Sequence, residues 1–295
     1  KRWLDHFLAW EPAGAALIFA ATVLALVWAN SPWAGIYDAL LHQEVLTLSV
    51  LHWINDALMA IFFFQVGLEL KRELLVGELS DPRQALLPAL AAVGGVVVPA
   101  LLYGGVNWSQ PETLRGWAIP CATDIAFAVG VLSLLGNRVP AALKLFLLSL
   151  AVIDDLIAIL IIALFYSGGL HTEYLLGVVG VLGVLGLLSL KRVSVFYPYA
   201  LAGVLLWWLV HHSGLHATLA GVALAAFIPL RQERDETGEC KTMEPEHSLL
   251  MHLEHALAPW VTYVIVPLFA LANAGVSLVG FSLATLAAPV PLGIL

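Results

Sequence analysis

The sequence predicts an all-α, polytopic membrane protein, and three observations carry that prediction. Its residues are 61% hydrophobic and only 12% charged, with a mean hydropathy of +0.92. A soluble domain is nearer half apolar and a quarter charged. Apolar runs close to the roughly 20 residues that a helix needs to cross hydrocarbon recur along the chain. The basic residues gather in alternate connections between those runs, as expected when cytoplasmic segments carry the excess Lys and Arg.

Taken in order, the runs are 12–30, 54–71, 86–105, 117–136, 140–166, 174–190, 197–211, 216–230 and 250–275. These make nine complete spans, and a tenth run starts near Leu283 and stops at Leu295. With a cytoplasmic N-terminus, the inside segments hold Lys1 and Arg2, then Lys71, Arg72 and Arg83, then Arg138 and Lys144. Lys191 and Arg192 follow, and then Arg231, Arg234 and Lys241, which leaves only Arg115 of the thirteen bases outside. A missed or invented span would scramble this alternation. Residues 1–295 therefore read as a single transmembrane domain, and the polar stretch "RQERDETGECKTMEPEHS" (231–248) as an interhelical loop. Lys1 and Arg2 before an apolar run also fit a signal peptide, but eight further spans favour a retained first helix. The net charge of −8 comes from scattered acids, and no basic patch suggests nucleic acid. Cys121 falls within a span and Cys240 in an inside loop, so a disulfide between them is not expected.

The fifth span carries the strongest chemical signal. In "SLAVIDDLIAILIIALF" (149–165), Asp154 and Asp155 stand side by side in apolar sequence. They are the fourteenth and fifteenth of the 27 residues in 140–166, hence near the midplane of a helix about 40 Å long. An ionised carboxylate there costs at least about 3 kcal/mol, and two neighbours repel each other. Binding a proton or a cation relieves both costs. Adjacent helical residues point about 100° apart, so one acid can face a water-filled cavity while the other turns into the protein. A purely structural pair, satisfied by hydroxyls or a Lys, is the blander reading. Intramembrane acids are functional by default, however, and Lys144 is ten residues, about 15 Å, away on the same span.

The fourth span adds a third acid. "GWAIPCATDIAFAVGVLSLLG" (116–136) carries Thr123 and Asp124 just after Pro120. Proline frees a backbone carbonyl, and Thr-Asp supplies further oxygens. An interrupted helix of this kind can coordinate a small hard cation. Pro120 alone would fit a plain kink with Asp124 capping the second half. With Asp154 and Asp155 on the next helix, an ion site is the better reading.

At these residues the chain resembles the NhaA-type sodium/proton antiporters of bacterial inner membranes. The segments "GWAIPCATDIAFAVGVLSLLGNRVP" and "LAVIDDLIAILIIALFY" carry the likeness. So do "WINDALMAIFFFQVGLELKREL" (53–74), "SGLHATLAGVALAAFIPL" (213–230) and "LEHALAPWVTYVIVPLFALANAGVSL" (253–278). The resemblance implies that Asp155 is the main cation-binding and proton-carrying carboxylate, with Asp154 beside it. It implies that Thr123 and Asp124 lie near the ion site, where two interrupted helices cross, and that Na+ is held transiently by Asp155 and Asp124. It also implies that Glu69, Arg72 and Glu73, with Glu254 and His255, take part in pH activation at the cytoplasmic face. The spacing of 69, 72 and 73 puts them on one helix face, although an ordinary solvated helix end would look the same. His216 in "SGLHATLAG" matches a family histidine associated with pH response, while its residue-level reading is a hydrogen-bonded histidine at a helix start. The glycines 177, 180, 183 and 186 read as close helix packing.

Three departures from the family pattern follow. The family has twelve spans, with a second inverted repeat that holds another interrupted helix and an intramembrane Lys. This sequence reaches "APVPLGIL" before them, so it reads as C-terminally truncated, as the first half of the architecture. A chain ending at Leu295 is then expected to insert its spans without exchanging ions. The family dimer often uses an outside β-hairpin after the first span, whereas "QEVLTLSVLH" (43–52) offers one alternating strand and no turn signal. Cys121 follows Pro120, and Ala258 stands where relatives can carry a second His; small effects are expected from both.

The resulting expectation is a secondary transporter that exchanges cytoplasmic Na+ or Li+ for external H+, electrogenic and pH-regulated, in a bacterial inner membrane. Its partners are those ions and the lipid bilayer, with a homodimer implied by the family and no organic cofactor. Two other readings compete. A cation channel would build acid rings or carbonyl filters around a pore axis, for which one adjacent pair on one helix is poorly suited. An intramembrane aspartyl protease could draw on Asp124 and Asp154, but its Gly-x-Gly-Asp motif is absent and Asp155 would crowd the dyad.

Overall fold

The computed structural model describes residues 13–121, 139–166, 171–230, 232–234, 240–242, 248–280, 282 and 286–294. Helices dominate them, as the composition demands. Helix α1 (Ala13–Ala29) fills the first expected span and meets α2 (Ala34–His42) at a 113° bend. Strands β1 (Glu44–Val45) and β2 (Leu48–Ser49) come next, followed by α3 (Val50–Val76), whose first turn, Val50–His52, runs into a π-helical turn at Trp53–Leu58. Helix α4 (Pro82–Asn107) starts where the Asp81 side chain accepts the Arg83 backbone N–H at 2.9 Å, with Pro82 in the first turn. A proline costs nothing there because its missing donor would be unpaired anyway.

Helices α5 (Ala141–Phe165), α6 (Thr172–Leu190) and α7 (Phe196–Ser213) carry on the pattern. Gly214, at φ 87°, ends α7 in the left-handed conformation that glycine adopts without strain. Helix α8 (Leu219–Phe227) has only nine residues. A short pair, β3 (Gln232–Arg234) and β4 (Cys240–Thr242), lies in the polar loop, and α9 (Leu249–Asn273) and α10 (Pro289–Ile294) complete the order. Among the described residues α3, α4, α6, α9 and the Leu145–Phe165 part of α5 are long and apolar enough to cross a membrane, and the bent α1–α2 pair would make a sixth. Most of the fourth expected span, from residue 122 on, lies outside the described residues.

The described chain forms two compact units. One combines the described residues of Lys1–Ala16, Asp81–Ile161 and Val276–Leu295, and the other the described residues of Leu17–Ser80 and Ile162–Gly275. In the first, α4 packs on α10 through the fully buried Tyr103 and Asn107. The Asn107 amide donates to the Pro289 carbonyl at 3.0 Å, and the Tyr103 hydroxyl to that of Thr113 at 2.8 Å. Leu86, Leu87, Leu90, Leu101 and Leu102 of α4 remain exposed, as they would on a helix facing lipid.

The second unit has its core among α3, α6, α7, α8 and α9. Phe64 and Leu68 meet Leu185, Leu206, Leu224, Leu250 and Leu253 there. Its tightest contact is between α3 and α8. A Cβ on Gly67 would stand 2.7 Å from that of Ala225, and one on Gly221 would run into the Ala60 carbonyl and 2.8 Å from the Phe64 nitrogen. Backbone cannot yield as a side-chain tip can. Gly221→Val is therefore expected to lose about 1–3 kcal/mol of stability by forcing the helices apart, read as a lower unfolding temperature in detergent. Gly180→Ala is the control, because a Cβ there meets nothing within 4 Å among the described residues. Close helix packing at the α6 glycines therefore holds only in part: Gly177 faces Leu209 and Gly186 faces Phe227, whereas a Cβ on Gly180 or Gly183 would meet nothing within 4 Å among the described residues.

The segment 43–52 departs from expectation too. It is a hairpin, with Glu44 opposite Ser49 and Val45 opposite Leu48. Its two-residue turn is Leu46–Thr47, with Leu46 at φ 61°. Tight hairpins need a positive φ at their first central residue, and glycine normally supplies it. Leucine gave no such signal, so the turn was invisible in the sequence. The left-handed conformation costs a residue with a Cβ roughly 1–2 kcal/mol, and Leu46 is 86% exposed, so its side chain has little packing to lose. Leu46→Gly is expected to raise thermal stability by up to about 1 kcal/mol; a fall would mean that the leucine makes a compensating contact.

Candidate functional site

Asp154 and Asp155 lie in the middle of α5, as their position in the apolar run required. Asp154 is buried, sharing a face with Ala151 one turn earlier, and Asp155 is half-buried. The two carboxylates thus have different surroundings, which is what a 100° step between neighbours produces. Upstream, the 3-10 turn Ile119–Cys121 ends the described part of the fourth span. Cys121 is buried, and its thiol donates to the Val96 carbonyl of α4 at 3.2 Å. This bond anchors the chain just before Thr123 and Asp124, which lie outside the described residues.

The second group of predicted residues sits in the other unit. Arg72 of α3 reaches α9, where its Nε lies 3.1 Å from both Glu254 oxygens. Its Nη1 lies 2.7 Å from Glu73 Oε1. One guanidinium therefore bridges two carboxylates from two helices, a fork geometry for which arginine is suited. Glu69, one turn before Glu73, stands in the field of Glu254, Arg72 and Glu73. These four residues come together as the sequence spacing and the family resemblance led one to expect.

The two histidines do not join them. His255 is exposed, and its Nδ1 lies 2.8 Å from the Met251 carbonyl of its own helix. His216 is exposed before α8, where its carbonyl accepts the Leu219 N–H at 3.0 Å. The far end of α8 is the one beside the Arg72 group. There Lys71 Nζ donates to the Ala226 carbonyl at 2.7 Å and to the Ile228 carbonyl at 2.6 Å, closing groups that a helix end leaves open. In the sequence Lys71 was only one more inside charge; nothing local announces a cation that caps another helix.

The family model described as Na+/H+ antiporter 1 matches residues 5–295. The chain belongs to the Na+/H+ antiporter 1 family. It is 52% identical over 292 residues to the Na(+)/H(+) antiporter NhaA 2 of Pseudomonas syringae pv. syringae (strain B728a), an alignment covering 99% of this chain and 72% of that protein. It is 54% identical over 282 residues to the Na(+)/H(+) antiporter NhaA of Caulobacter vibrioides (strain ATCC 19089 / CIP 103742 / CB 15), covering 96% and 67% of the two chains. With the Na(+)/H(+) antiporter NhaA 1 of Syntrophotalea carbinolica (strain DSM 2380 / NBRC 103641 / GraBd1) it shares 54% identity over 299 residues, covering 99% and 73%. As a member of the Na+/H+ antiporter 1 family, the chain is a multi-pass helical membrane protein of the transporter class rather than an enzyme. The protease reading of the acids falls with that assignment.

Proposed function

We propose that the protein exchanges cytoplasmic Na+ or Li+ for external H+ across a bacterial inner membrane, crossing it nine times within residues 1–295 with its N-terminus inside. The observation that carries this reading is the Asp154–Asp155 pair in the middle of an apolar helix, in a chain that matches the antiporter family from residue 5 to 295. The mechanism is competition. When the cytoplasm is alkaline, Asp155 loses its proton, and the carboxylate binds Na+ together with Asp124, Thr123 and freed backbone oxygens. Once the site opens outward, protons displace the ion. More than one proton per ion makes the exchange electrogenic. No organic cofactor takes part.

The Glu69–Arg72–Glu73–Glu254 group tunes the fraction of transport-competent protein with cytoplasmic pH, with His255 and His216 as further contributors. The β1–β2 hairpin supports a homodimer as the working assembly. In everted membrane vesicles holding a respiration-driven pH gradient, adding Na+ or Li+ is expected to dissipate the gradient. Na+ flux uncoupled from protons would instead mean a channel.

A further inference from the structure

A second titratable group lies at the opposite end of α3 from Arg72. Helix α3 runs from its π turn at Trp53–Leu58 to Lys71 and Arg72, and α7 starts just after Lys191 and Arg192 and ends with His211 and His212. The π turn and the two histidines therefore share the end remote from the bases. Asp56 and Arg72 are 16 positions apart, about 24 Å along a helix. On the orientation proposed above, that end faces outside.

Here His211 Nδ1 lies 3.5 Å from Asp56 Oδ2, with each side chain about a quarter exposed (25% and 26%). Trp207 lies between the two elements. Its Nε1 donates to the Asp56 carbonyl at 3.2 Å, while its rings stack on His211 at 5.8 Å and on Trp53 at 5.9 Å. A π turn inside a helix often marks a functional site, and this one is held from two sides. On the other side is a reciprocal amide pair, in which the Asn273 amide donates to Asn55 at 2.8 Å and the Asn55 amide to Asn273 at 3.2 Å. That grip is independent of pH. The Asp56–His211 grip is not, because only a protonated imidazole makes an ion pair with the carboxylate 3.5 Å away. The charged ring would also lie at the C-terminus of α7 and over the face of Trp207, both favourable for a cation.

The other titratable groups nearby are accounted for. His212 lies 5.1 Å from His211, ring to ring, with its Nδ1 2.8 Å from the Trp208 carbonyl. From α6, Tyr174 packs on His212, and His171 joins α7 through its backbone N–H to the Ser213 carbonyl. His52, on the turn before, lies 2.7 Å from the Ser49 hydroxyl.

We infer that Asp56 and His211 form an outward-facing, proton-operated latch that fastens the π turn of α3 to α7 when the external medium is acidic and frees it when the medium is alkaline. The same helix is then governed by charge at both ends, by the Arg72 group inside and by His211 outside. The outside assignment rests on the proposed orientation, and the contact itself does not.

Hydrogen exchange of the 53–58 amides, corrected for the intrinsic pH dependence, tests the contact in the native-length protein in nanodiscs. Protection is expected to be about threefold higher at pH 5.5 than at pH 8, the scale of one partly exposed ion pair. It is expected to be equal at the two pH values in His211→Gln and in Asp56→Asn, and the double variant should match either single one. Unchanged pH dependence in the variants would overturn the latch. Everted vesicles test its face, because their lumen is the former outside. Varying luminal pH at fixed bath pH should alter Na+-dependent exchange differently in His211→Gln and in the wild type, with bath-pH profiles superimposed. A difference that follows bath pH, or none with either, would overturn an external sensor. If the wild type shows no exchange, the transport proposal fails, and the amide protection still decides the latch.

Discussion

Asp155→Asn is expected to abolish Na+-dependent proton movement in the native-length protein. Asparagine keeps the size of the side chain and removes its titration, so the site can no longer trade a proton for a cation. Asp154→Asn is expected to be milder, since that carboxylate is buried while Asp155 is half-buried, and a residue that positions its neighbour costs less than the carrier itself. The pair of variants is read in everted vesicles by gradient dissipation on Na+ addition, at matched expression. Full retention of exchange in Asp155→Asn would reject competition for this carboxylate. Equal loss in both would make the dyad, rather than one acid, the carrier.

Glu254→Gln is expected to move the pH profile of exchange by about one unit, the equivalent of about 1.4 kcal/mol between protonation states, while sparing the maximal rate. Glu254 meets Arg72 at 3.1 Å through both oxygens, and Arg72 also holds Glu73. Neutralising Glu254 thus redistributes charge over the whole group and leaves the Asp154 and Asp155 side chains themselves unaltered. A sensor changes the population of competent states and not the ion ligands. A lower maximal rate on an unshifted profile would place Glu254 in transport or folding. The parallel change His255→Gln is expected to have a smaller effect, because His255 is turned onto its own helix at Met251.

Much of this was legible in the sequence because membranes impose strict patterning. Apolar runs near α1, α3, α4, α5, α6 and α9 could be read directly, since hydrocarbon tolerates few charges. Asp154 and Asp155 stood out for the same reason. The grouping of Glu69, Arg72 and Glu73 follows from helical spacing, but its junction with Glu254 spans 182 positions and came only from the family resemblance. Other features left no local trace. The hairpin turn at Leu46 uses a residue with no turn chemistry, so composition could not reveal it. The Lys71 cap and the Asp56–His211 contact join residues more than 150 positions apart, and each end looks ordinary alone. Thr123 and Asp124 lie outside the described residues, and their role stands on Pro120, on the acids of α5 and on the resemblance.

Competition of Na+ and H+ for one carboxylate lies at the heart of the proposed exchange. Proton release on Na+ addition to the purified protein in weakly buffered detergent solution tests it without any gradient, membrane or regulatory face. At a pH where the site is protonated in part, adding Na+ or Li+ should release protons in a saturable way, adding K+ should release none, and Asp155→Asn should be silent. Na+ binding without proton release, or release that persists undiminished in Asp155→Asn, would contradict competition at Asp155.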